Sequence, residues 1–185
     1  MPYPTHITSE AVIAKARELI EAEGLDQLSL NRLATALHVR APSLYRYFDG
    51  KNELLRAVNE MTNRALIAAL DAAVAPATTP REQIMAMARA YRAFAHSFPA
   101  TYQLLFANSS PDLRPDAGAS ERLVLPLQAI MASLSGEADS LAALRGILAL
   151  AHGYVTLELN GQFRRGGDLD AMFTRVVEAY IDGWM

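Results

Sequence analysis

Apolar residues recur at three- and four-residue spacing along most of the chain, and the places where that rhythm breaks divide it into helices. Between residues 29 and 48 it breaks twice in quick succession. Leu30, Leu33, Ala34 and Leu37 share one helical face, and Ser29 stands just before them, where its hydroxyl can accept from the open N–H groups of a first turn. The spacing predicts a helix over 30–37, about two turns long. His38, Val39 and Arg40 interrupt it. Pro42 then falls where the first turn of a new helix tolerates proline, because that N–H would have no intrahelical partner. The second helix is expected over 41–47, with Leu44 and Phe48 on the side of Val39, and Ser43, Arg46 and Tyr47 turned elsewhere. Two short helices joined by a tight turn form a helix-turn-helix, which offers the N-terminal part of its second helix to base edges in the major groove.

The flanking pattern extends this unit. A preceding helix begins after Thr8 or Ser9, carries Val12, Ala16, Leu19 and Ile20 on one face, and stops at Gly24. After Asp49 and Gly50 a long helix is expected over 51–74, with Leu54, Leu55, Val58, Met61, Leu66 and Leu70 at core spacing. Thr79-Pro80-Arg81-Glu82 reads as a capping box with proline at the first helical position. The next helix carries Ile84, Met87, Tyr91, Phe94 and Ala95 up to Pro99, and a short one follows through Tyr102, Leu105 and Phe106. A loop rich in proline, serine and aspartate is expected over 108–120. In the segment 121–134, Pro126 either kinks a helix or marks its start. Two last helices are expected over 137–163 and 169–184, with Asp168 capping the second. The expectation is an all-α protein: a helix-turn-helix domain over 1–50 and a larger helical bundle over 51–185, joined by the 51–74 connector.

Composition supports a folded chain, with 51% hydrophobic residues in a length of 185. The formal charge of -3 conceals a local reversal. Across 28–51, Arg32, Arg40, Arg46 and Lys51 face only Asp49, a basic footprint suited to phosphates. The absence of cysteine excludes disulfides and thiolate metal sites and fits a reducing compartment. The first residues lack the charged-then-apolar order of a leader, and no apolar stretch reads as a bilayer span, so a cytoplasmic protein is expected. Catalysis has little to work with. The histidines stand apart at positions 6, 38, 96 and 152, and neither a Gly-rich phosphate loop nor metal-ligand spacing occurs. His152 and Glu158 would point to different faces of one helix. No enzyme, metal or cofactor is expected.

The run G-L-D-x-L-S-L-x-x-L-A-x-x-L-x-V-x-x-P-S-L-Y-x-Y-F-x-x-K, from Gly24 to Lys51, closely resembles the DNA-binding domain of the tetracycline-repressor (TetR) family of bacterial regulators. The resemblance implies base-reading positions at Asn31, Ala41, Pro42, Ser43 and Tyr45, and phosphate-clamping positions at Tyr47 and Lys51. Ser29, Arg40 and Arg46 complete the candidate DNA contacts. Arg40 stands where the family often has a small capping residue, His38 where it often has glycine, and Tyr47 replaces a more frequent histidine. The Tyr47 hydroxyl can still donate to a phosphate oxygen.

In the last helix Leu169, Phe173, Val176, Val177, Tyr180, Ile181 and Trp184 form an apolar stripe. The stripe packs on its own chain or on a second copy. In the family the final two helices of each subunit build a four-helix interface, which implies a homodimer here through Phe173, Val176, Val177, Tyr180, Ile181 and Trp184. Two-fold pairing doubles the bases read on a palindromic operator. The segments YRAFAHSFPATYQLLF (91–106) and HGYVTLELNGQF (152–163) look like a C-terminal subgroup marked by a Trp-His-Gly triplet, with Ala151 in place of the tryptophan. Aromatic residues and methionines between 85 and 106 fill an ordinary core or line an apolar cavity. Tyr91, Phe94, Tyr102, Phe106 and His152 are the candidates for contact with an unknown small-molecule effector. Together these readings describe a ligand-responsive repressor that binds double-stranded DNA as a homodimer. The alternative is a helix-turn-helix interaction module without specific DNA binding.

Overall fold

The structure, a computed structural model, describes residues 7–107 and 117–185, without the side chains of 117–124. Its α-helices are α1 (Ser9–Glu23), α2 (Leu30–Ala36), α3 (Lys51–Val74), α4 (Pro80–Ser97), α5 (Pro99–Phe106), α6 (Ala117–Ser135), α7 (Ser140–Leu159) and α8 (Leu169–Asp182). A 3-10 helix over Ala41–Arg46 lies between α2 and α3. Among the described residues there is no strand, which agrees with the all-α expectation.

The helix starts follow from their caps. Thr8 accepts from the Ala11 N–H at 3.2 Å, and Ser29 from the Arg32 N–H at 3.1 Å. Asp168 accepts from the Asp170 and Ala171 N–H groups. At α4 the capping box closes both ways: Thr79 accepts from the Glu82 N–H, while Glu82 accepts from the N–H groups of Thr78 and Thr79. The long helix spans the expected 51–74. Residues 108–116 of the expected loop lie outside the described residues, whereas 117–120 form the start of α6. Pro126 lies inside α6, so it does not mark the start of that helix. The expected 137–163 helix is shorter, Ser140–Leu159, and ends where Asn160 and Gly161 turn.

By contacts the described residues divide into two units, one of 7–64 with 98–107 and one of 65–97 with 117–185. Unit one buries Val12, Ala16 and Ile20 of α1, Leu33 of α2, Leu44 and Phe48, with Leu54, Leu55 and Val58 of α3 and Leu104 of α5. Its α5 is held by Glu21 of α1, whose carboxylate accepts from the Ala100 N–H at 3.0 Å, the Thr101 N–H at 2.9 Å and the Thr101 hydroxyl. These are open groups of a helix N-terminus, filled from another helix.

In unit two α6 packs on α7 and α4, and α8 packs on α4 and α7. Met131, Ala143, Val155, Phe173, Val177 and Ile181 are fully buried or nearly so. α7 is long and apolar enough to cross a membrane by length and composition, with a mean hydropathy of 1.3, contrary to the sequence expectation. It carries Arg145 and a paired Glu158, and its Ala143, Leu144, Ile147, Ala151 and Val155 are buried against neighbouring helices. Burial accounts for part of its apolar composition, whereas Leu141, Leu148 and Leu157 are exposed.

Candidate nucleic-acid interface

The turn between α2 and the 3-10 helix is a Schellman motif. Val39 donates its N–H to the Ala34 carbonyl at 2.9 Å, and His38 donates to Thr35 at 3.1 Å. This geometry requires a left-handed residue at His38, whose φ is 55°. Histidine tolerates that region better than most side chains. The Arg40 carbonyl then accepts from the Ser43 N–H at 2.9 Å and the Ser43 hydroxyl at 2.6 Å, and Pro42 occupies the first turn. The second element of the motif is thus present as a 3-10 helix ending at Arg46, in place of the expected α-helix to Tyr47. Short elements of few hydrogen bonds adopt this tighter winding readily.

Leu44 and Phe48 are buried and anchor the element to unit one. Its other side is open. Tyr45 is 56% exposed, and Asn31, Arg40, Pro42, Arg46 and Lys51 are exposed as well, with Ala41 and Ser43 half-buried. Among the described residues no carboxylate pairs with Arg40, Arg46 or Lys51. Besides Ser43, whose hydroxyl is held by the Arg40 carbonyl, three further expected contributors are engaged within the chain. The Ser29 hydroxyl caps α2. Arg32 holds Glu23 of α1 through Nε at 3.0 Å and a second nitrogen at 2.5 Å, so this cation is neutralised from outside the stretch in which its charge stood unopposed. Tyr47 donates its hydroxyl to the Ile7 carbonyl at 2.5 Å, pinning the backbone ahead of α1. A Tyr47→Phe variant is therefore expected to lose about 1 kcal/mol of stability and to keep the parent's salt dependence of DNA binding. A shallower slope in a salt titration would instead place the hydroxyl on a phosphate.

The candidate effector residues divide between the two units. Tyr102 and Phe106 belong to unit one, with rings 5.0 Å apart. Tyr91, Phe94 and His152 belong to unit two. There Tyr91 is buried and its hydroxyl lies 3.1 Å from His152 Nδ1. Burial pushes the His152 imidazole below its ordinary pKa of 6.5. A cavity of about 40 Å³ lies beside Tyr91, bounded by Leu70 of α3, Met87 of α4, Met131 of α6, and Ile147 and Ala151 of α7.

The stripe on α8 also divides. Phe173, Val177 and Ile181 are buried in their own chain. Tyr180 is half-buried, donates its hydroxyl to the Ala143 carbonyl at 2.8 Å and covers Gly146, where an added Cβ would lie 2.0 Å from that oxygen. The Trp184 ring, also half-buried, lies 6.3 Å from that of Tyr180. Of the expected interface residues Val176 is exposed, together with Met172 on α8 and Leu141, Leu148 and Leu157 on α7.

One charged cluster escaped the sequence reading. Arg92 of α4 donates to both carboxylate oxygens of Glu158, at 2.8 and 2.6 Å, and pairs with Asp170 of α8 at 2.5 Å; His96 Nε2 is 2.9 Å from Glu158. The hydrogen bonds from Arg92 hold the Glu158 carboxyl below its ordinary value of 4.5, against the opposing effect of burial. A depressed carboxylate stabilises the fold above its unfolded pKa and loses that contribution as pH falls through its folded value. With a side chain only 7% exposed, Glu158→Gln is expected to cost about 2–4 kcal/mol at neutral pH. Urea melts at descending pH should show the gap between variant and parent closing below 4.5; a constant gap would deny the ionic contribution.

Residues 12–58 match the bacterial regulatory proteins of the tetR family, and residues 84–180 match the tetracyclin repressor-like C-terminal domain. An uncharacterised HTH-type transcriptional regulator of Mycobacterium tuberculosis is 33% identical over 177 residues, covering 94% of this chain and 80% of that protein. A solved structure of a protein of unknown function from Rhodococcus sp. RHA1 superposes with a TM-score of 0.83 at 24% identity, over 100% of this chain and 98% of the other. BioQ with its natural double-stranded DNA operator gives a TM-score of 0.67 at 25% identity, over 97% and 98% of the two chains. With both of its halves matched and its helix-turn-helix exposed, the chain belongs to the TetR family of DNA-binding transcriptional regulators.

Proposed function

We propose that the protein is a cytoplasmic repressor that binds a palindromic operator as a homodimer and is released by a small-molecule effector. The observation that carries this reading is the exposed surface of Tyr45, Arg40, Arg46 and Lys51, whose cations are not paired with carboxylates among the described residues. Asn31, Ala41, Pro42, Ser43 and Tyr45 read bases, while Arg40, Arg46 and Lys51 fix the register on phosphates. Two such surfaces about 34–36 Å apart would meet successive major grooves on one side of the duplex. In this reading the exposed Leu141 and Leu148 of α7 with Met172 and Val176 of α8 supply the pairing face. Within the family, the segments 91–106 and 152–163 support placement in the Trp-His-Gly subgroup, with Ala151 as its departure.

The test is a titration of labelled duplexes from the DNA flanking the gene, with inverted repeats and scrambled controls. A repressor prefers the inverted repeat by at least about a thousandfold and loses affinity steeply with salt. Weak binding, equal on both duplexes, would favour an interaction module.

A further inference from the structure

We propose that the effector is a small uncharged hydrophobic molecule, about the size of a single aromatic ring with at most one polar function, seated in the unit-two cavity beside Tyr91. The assignment rests on the reading of the protein as an effector-released regulator and specifies its ligand. Leu70, Ile84, Met87, Met131 and Ala151 give the cavity a wall of hydrocarbon and thioether, and no charged side chain lines it. A carboxylate or ammonium entering such a site would shed its water without gaining a counter-charge, which costs several kcal/mol. An apolar guest has no such cost and gains burial.

The one polar side chain among the lining residues is Tyr91, hydrogen-bonded to His152. Because burial disfavours the charged imidazole, this pair is neutral and offers no counter-charge to an ion. Size sets the other bound. The cavity of about 40 Å³ is a few water-sized spheres in capacity, against about 150 Å³ for an engineered apolar cavity that takes benzene. Met87 and Met131 stand on opposing helices, and their flexible thioethers can yield the remainder.

Toluene, p-cresol and benzoate make the test. Full-length protein carrying 13C-methyl methionine is titrated with each, the Met87 and Met131 resonances being assigned through Met87→Leu and Met131→Leu. Toluene and p-cresol should shift both methyls saturably, while benzoate at equal concentration leaves them in place. Ala151→Leu narrows the cavity and should weaken toluene binding at least about tenfold. Ile147→Phe serves the same purpose if the first variant does not fold. Toluene that moves neither methyl, or benzoate that binds as tightly, overturns the assignment. Operator binding measured on the same samples without guest separates the two readings. A protein that takes toluene but ignores operator keeps the ligand assignment and loses the repressor. One that binds operator and refuses toluene does the reverse.

Discussion

Val176→Arg is expected to leave each chain folded, to leave the protein monomeric, and to lower operator affinity on the order of a thousandfold, the usual distance between specific and non-specific binding. Phe173, Val177 and Ile181 of α8 are buried in its own unit. Val176 stands next to Val177 in sequence but about 100° further round the helix, 40% exposed and one turn from exposed Met172. A charge there meets water in the single chain, where surface substitutions usually move stability by no more than about 0.5 kcal/mol. In a pair of chains the same charge enters a desolvated apolar seam without a partner. Val177→Arg serves as the contrast: it buries the charge within the chain, and the expected outcome is loss of the fold itself. Sedimentation equilibrium separates these cases, since a Val176→Arg protein that stays dimeric would move the interface off α8.

The second large effect concerns the cations. Replacing Arg40 and Lys51 together by alanine should reduce the slope of log affinity against log salt by about two for each subunit, because each neutralised phosphate contributes about 0.9. Affinity should fall alike on operator and scrambled DNA. Tyr45→Ala, by contrast, removes an exposed side chain from the proposed groove face and should alter preference at one base position by about 1–3 kcal/mol while the slope holds. Anisotropy titrations over a range of salt read both quantities. An unchanged slope in the double variant would take Arg40 and Lys51 off the phosphate backbone.

Local chemistry was what the sequence displayed best. Caps depend on residues three apart, so Ser29, the Thr79–Glu82 box and Asp168 could be placed from spacing alone, and the choice left between Thr8 and Ser9 is settled on Thr8. His38 could be noticed as unusual in its position, and its left-handed φ gives the reason. Long-range pairings left no such trace. Nothing near Arg32 announces Glu23, nothing near Tyr47 announces the Ile7 carbonyl, and nothing in the 91–106 segment separates α5 from α4. Apolar periodicity also overstates what it resolves. The α8 stripe was wide enough to include both the buried Val177 and the exposed Val176, because a 3.6-residue period identifies a face without saying which part of it is covered. On α3 it chose Met61, which is half-buried, and passed over Asn59 and Thr62, which are buried. The residues of the exposed helix-turn-helix surface could be named one by one, whereas the cavity required four helices to be brought together.

The central claim is that two chains, paired through α7 and α8, read two half-sites at once. Sedimentation velocity of the protein with a labelled duplex carrying one inverted repeat tests it most directly. The expected complex contains two chains per duplex, forms in one cooperative step, and dissolves as salt is raised. A complex of one chain per duplex, or two chains binding independently with the same affinity for scrambled DNA, would contradict it.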